Sequence, residues 1–132
     1  MQLRSLSAHC NVFASESMMD EIAIAQGADP LEFRLRHLTD PRARAVLQTS
    51  ADMALWTTRK DKQLEGQGMG LACTRYKNTG AYCAVVAKVD AGKDLRVTKL
   101  WIAVDVGLVI NADGVVNQIE GGAIQTVSWV LK

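Results

Sequence analysis

The chain reads as an α+β protein. It has a helical first half, a three-stranded antiparallel meander, and a terminal helix packed on that sheet. Three observations predict this. Asp29-Pro30-Leu31-Glu32 and Asp40-Pro41 each place an N-cap carboxylate before a proline suited to the first helical turn. From residue 68 onward the apolar period falls to two, interrupted by turn clusters. After Asn111-Ala112-Asp113-Gly114 the apolar residues Val116, Ile119, Ala123, Val127 and Val130 return at helical spacing, with Leu131 beside them.

Taken in order, Gln2 to Asn11 has neither period and is expected to be a loop. Val12 to Gln26 is predicted as a helix presenting Phe13, Met18 or Met19, Ile22 and Ala23 to the core, with Gly27 as its stop. Glu16, Asp20 and Glu21 fall on what would be its wet face. The capped helix after Asp29 uses Leu31, Leu35 and Leu38, and the next uses Ala43, Val46, Leu47, Ala51 and Leu55. Residues 1–58 thus form a helical part, and the charged stretch 59–67 reads as a solvated linker. Residues 68–132 hold the meander and the last helix. Its strands are expected at Met69 to Lys77, Ala81 to Asp90 and Leu95 to Val106, turning at Asn78-Thr79-Gly80 and at Ala91-Gly92-Lys93-Asp94.

At 132 residues this is one domain's length of chain, with room for a core. A net charge of +1 argues against a nucleic-acid surface. No apolar run reaches roughly 18 residues, so no membrane span is expected, and no basic head with an apolar run suggests a secretory signal. Three cysteines at irregular spacing suit a reduced chain. Cys73 and Cys83 would be near neighbours on adjacent strands, as free thiols or as an oxidised pair. The terminal helix has no stop signal before Lys132, so the chain is expected to be a piece of a larger protein.

Candidate chemistry is sparse. His9-Cys10 lacks further ligands at metal-like spacing, so no metal site is expected. No phosphate-loop or dinucleotide fingerprint is present. Asp105, the one charge in an apolar strand and just before Gly107, is expected to bind turn amides or to face a site. Gly121 and Gly122 lie inside the terminal helix, at about 1 kcal/mol each relative to alanine. Close approach of something to the backbone would account for that cost, and so would tight packing of another element.

Several motifs resemble one family in consistent order. They are R-S-L-S-A-H-C-N-V-F-A-S-E-S-M-M-D-E-I-A, D-P-L-E-F-R-L-R-H-L, D-P-R-A-R-A-V-L, Y-K-N and A-V-D-V-G-L-V-I-N-A-D-G-V-V-N-Q-I-E-G-G. Nearly the whole chain resembles the C-terminal part of the large subunit of molybdenum hydroxylases, the xanthine dehydrogenase and aldehyde oxidase family, in its isoquinoline 1-oxidoreductase β-subunit branch. The resemblance implies a molybdopterin cofactor, in its cytosine dinucleotide form. It also implies hydroxylation of an N-heterocycle or an aldehyde with oxygen from water. Its implied partners are an iron–sulfur small subunit and the remainder of the large subunit.

Residue by residue, Arg4 matches an arginine that approaches the molybdenum centre, and Leu6 falls at a position against the substrate. Gln118 matches a glutamine that hydrogen-bonds the cofactor, and Gly121 follows it in the Q-x-E-G pattern. No catalytic residue is expected here, because the family's general-base glutamate lies in a Gly-x-Gly-Glu-type motif beyond Lys132. The isolated chain is then expected to fold, to be inactive, to bind little or no cofactor, and to self-associate. The alternative is a non-catalytic α+β interaction module.

Overall fold

The computed structural model describes residues 7–62, 64–77 and 79–131. Helix α1 spans Ala8–Ala25, α2 Pro30–His37 and α3 Pro41–Met53, followed by a 3-10 helix at Trp56–Lys62. Strands β1 (Gln67–Tyr76), β2 (Ala81–Asp90) and β3 (Arg96–Asp105) come next, and α4 (Ala112–Leu131) ends the chain. The fold class is the expected α+β, with the strands in the order β1-β2-β3 and both pairs antiparallel. Asn78, within the expected first turn, lies outside the described residues.

Both proline-initiated helices form for the reason their sequence suggests. The Asp29 carboxylate accepts from the amides of Leu31 and Glu32, and Asp40 accepts from those of Arg42 and Ala43. These bonds satisfy amides that a helix start otherwise leaves without partners. Helix α3 is the centre of the core. Its Ala43, Val46, Leu47 and Ala51 are buried against Leu71 of β1, Tyr82, Ala84 and Val86 of β2, and Ala103 of β3. Leu55 is not part of that stripe, because the helix stops at Met53 and Leu55 turns outward with φ of 53°.

Helix α1 departs from expectation. It begins at Ala8, four residues inside the expected loop, and Phe13, Met18 and Ile22 are exposed; of the expected stripe only Ala23 is buried. What α1 turns inward is charge. Arg34 of α2, with 1% of its surface exposed, donates from Nε to Glu16 Oε2 (3.0 Å) and from Nη1 to Asp20 Oδ1 (2.6 Å). Its Nη2 donates to the Glu16 carbonyl (2.9 Å). A buried guanidinium left unpaired is far costlier than a few exposed apolar side chains, so the ion pairs set the helix's rotation.

The 59–67 segment is held at its start. Arg59 stacks over the Trp56 ring at 3.7 Å and pairs with Asp29, which also accepts from Trp56 Nε1 at 2.9 Å. One carboxylate therefore caps α2 and secures the lead-in to the meander. The two strand cysteines are separated by register. Cys73 lies opposite Ala84 and Thr74 opposite Cys83, so successive side chains put the two thiols on opposite faces of the sheet. All three cysteines are free.

Candidate functional site

The face of the sheet turned away from α3 carries Cys83, Val85, Ala87 and Val89 of β2, and Val97, Leu100, Ile102 and Val104 of β3. Helix α4 spans it with Ile119, Ala123, Val127 and Val130 directed inward. The helix does not settle onto the strands. None of its residues is buried, and a cleft of about 540 Å³ separates the two walls. Among the described residues, no charged side chain lines this cleft, and the sheet side chains that line it come from β2 and β3.

Local sequence explains how α4 arrives there. At the end of β3, Asp105 takes both arms of Arg42 from α3: Nη2 donates to Oδ1 and Nε to Oδ2, each at 2.7 Å. Asp105 Oδ1 also accepts from the amide of Gly107 (2.9 Å), whose φ of 73° suits the residue without a Cβ. The bond from Arg42 first, and that from Gly107 second, hold the Asp105 carboxyl down at about 2 against opposing desolvation. Asn111 then opens the helix, its Oδ1 accepting from the amide of Gly114 at 2.9 Å.

Of the residues matched to the family, Gln118 and Gly121 lie one turn apart on α4. Gln118 is exposed at the rim of the cleft, its amide free to face a ligand rather than plugged into the core. A Cβ built on Gly121 or on Gly122 would meet nothing within 4 Å. Neither glycine has a positive φ, so no turn and no contact among the described residues requires it. Gly122 lines the cleft, whereas Gly121 faces outward beside it. Arg4 and Leu6 lie outside the described residues.

These residues suit a pterin on two grounds. A primary amide both donates and accepts, as a pterin edge does, and two open helical glycines let a flat group reach the backbone. Other reactive side chains fall elsewhere. His9 meets the Trp129 ring edge-on at 5.3 Å, an aromatic contact that ties α1 to the far end of α4. No group of three metal-binding side chains occurs among the described residues. Glu16, His37, Asp40, Cys73 and Arg75 share a smaller pocket of about 340 Å³ on the α3 side. There, burial first and the Glu16 carboxylate second push the Cys73 thiol up to about 11, leaving it protonated and unreactive at neutral pH.

Sequence reasoning singled out Asp105 but missed Arg42. The signal was present, since Arg42 sits in the first turn of a capped helix that must face the sheet. Only the three-dimensional pairing shows that its partner is 63 residues away.

Residues 13–132 match the family model for the molybdopterin cofactor-binding domain. The chain is 40% identical, over 145 aligned residues, to a nicotinate dehydrogenase subunit of Pseudomonas putida, covering 98% of this chain and 12% of that protein. It is 45% identical over 123 residues to the beta subunit of isoquinoline 1-oxidoreductase from Brevundimonas diminuta, covering 90% of this chain and 16% of that protein. A third relative, the membrane-bound aldehyde dehydrogenase (pyrroloquinoline-quinone) of Gluconacetobacter polyoxogenes, is 32% identical over 98% of this chain and 19% of its own length. The chain therefore spans less than a fifth of the curated relatives it matches. No solved structure matches it. With a family-model match over most of its length and an exposed amide beside open helical glycines, the chain belongs to the molybdopterin cofactor-binding domain family.

Proposed function

We propose that this chain contributes one wall of the molybdopterin site in a molybdenum-dependent hydroxylase that acts on N-heterocycles or aldehydes. The observation that carries the proposal is the α4 edge. Gln118 stands exposed at the cleft rim, next to Gly121 and Gly122, whose backbones are open. When bound, the cofactor supplies the molybdenum centre at which oxygen derived from water passes to an electron-poor carbon and two electrons are taken up.

Around it, this chain binds and orients. The Gln118 amide donates to and accepts from the pterin edge, and Gly121 lets the ring system approach where a side chain would block it. The walls of the cleft beneath α4 offer the neighbouring space mainly apolar side chains. On the family resemblance alone, we assign Arg4 to the metal centre and Leu6 to the substrate. The cofactor takes its cytosine dinucleotide form, and electrons leave through an iron–sulfur partner subunit. The general base comes from outside this stretch, so the isolated chain is inactive. A non-catalytic interaction module would use Gly121 and Gly122 for packing, and the open space at both positions favours the cofactor reading.

The test is metal and pterin analysis of the protein expressed from its complete reading frame together with its iron–sulfur partner. Molybdenum and pterin in near-equal amounts are expected, with a clear loss of pterin in Gln118→Ala. A wild-type protein containing neither would end the proposal.

A further inference from the structure

We infer that the Arg42–Asp105 pair is a positioning element: it sets where α4, and with it Gln118, stands over the sheet. This rests on the cofactor reading above for its consequence, though not for its geometry. Helix α4 has no buried residue and stands off from the strands, so side-chain packing does not lock it in place. Between β3 and α4, Leu108 and Ile110 are 88% and 92% exposed and anchor nothing. Asn111 caps the helix from within, by a bond to Gly114 that travels with it. Among the described residues, the side-chain tie at the near end of the helix is therefore the corner at Asp105.

That corner is joined to three other parts of the fold. Arg42 grips both oxygens of Asp105 and donates through Nη1 to the carbonyl of Thr79 in the β1–β2 turn at 2.8 Å. Its guanidinium lies 4.4 Å from the centre of the Tyr82 ring, and Tyr82 donates to Asp40, the cap of α3, at 2.8 Å. Asp105 in turn holds the Gly107 amide. The two-armed guanidinium fork fixes an angle as well as a distance, which a single contact would not. At 1.5 Å per residue Gln118 stands about 9 Å along α4 from its start at Ala112, so a pivot of about 10° there moves it by roughly 1.5 Å. Shifts of about 1 Å at a binding group can cost two orders of magnitude in function. The far end has the His9–Trp129 edge contact as its tie.

The experiment uses the complete protein with its cofactor and the substitution Asp105→Asn. Asparagine keeps an acceptor for the Gly107 amide but loses the charge and the second arm to Arg42. Hydrogen exchange at residues 108–118 should accelerate about tenfold, with retained pterin falling by about the same factor, while α3 and β2 exchange as before. Arg42→Lys keeps the charge without the fork and should give the same pattern more weakly; it also serves if Asp105→Asn does not fold. Unchanged pterin retention and unchanged exchange in α4 would overturn the inference. So would equal acceleration in α3 and β2, which marks a general scaffold role. If the wild-type protein holds no pterin, the proposed function fails and the exchange pattern alone decides the positioning role.

Discussion

At the scale of residues, charge organises this protein more than its ordinary composition suggests. Arg34 is the clearest case. Replacing it with leucine leaves Glu16 with the Cys73 amide and Asp20 to solvent, and the folded chain should lose about 2 kcal/mol in urea denaturation, the scale of a charge-assisted hydrogen bond. Asp29 is a second case. Burial pushes its carboxyl up, but the bonds from Trp56, Arg59 and the Leu31 amide outweigh that and hold it below the usual range. Asp105 is held down as well, at about 2. Because both folded values lie below the unfolded value of about 3.9, their stabilisation is complete above that pH and is lost as pH falls below it, for Asp105 through about 2. Acid titration followed by circular dichroism should show Asp29→Asn and Asp105→Asn flattening the stability loss over that window. The thiols give a simpler check: iodoacetamide should modify exposed Cys10 in the folded chain, with Cys73 and Cys83 reacting only on unfolding.

At the scale of elements, the helices with proline starts and the meander were legible because their signals are local. A cap, a proline and a period of two act within a few residues. Helix α1 was legible as a helix but not in its rotation, because its inward face is chosen by Arg34, a partner on another element. Helix α4 was legible in extent and in its inward stripe, yet its distance from the sheet was not. Sequence period names a face; it does not say whether that face closes on its neighbour. The two glycines give this element its own prediction. Since a Cβ at either position meets nothing, Gly121→Ala should stabilise the isolated chain by up to about 1 kcal/mol through helix propensity alone. The bulkier Gly121→Leu should lower pterin retention in the complete protein. If both variants left cofactor content untouched, the glycines would have no part in binding it.

At the scale of the whole molecule, apolar side chains stand open on the outer side of α1, at Phe13 and Ile24, and on the approach to α4, at Leu108 and Ile110. Apolar exposure of this kind marks contact surfaces. Sedimentation of the isolated chain should therefore show concentration-dependent self-association, reduced by Leu108→Ser with Ile110→Ser. A clean monomer at high concentration would count against it. Family membership could be read from ordered motifs along the chain, but Arg4 and Leu6, two of the positions matched to that family, lie outside the described residues.

The amide of Cys73, on the outer margin of β1, donates to Glu16 Oε2 at 2.8 Å. A side chain from α1 thus stoppers that rim at mid-strand, taking a donor that an incoming strand would need. Lateral growth of the sheet is barred there.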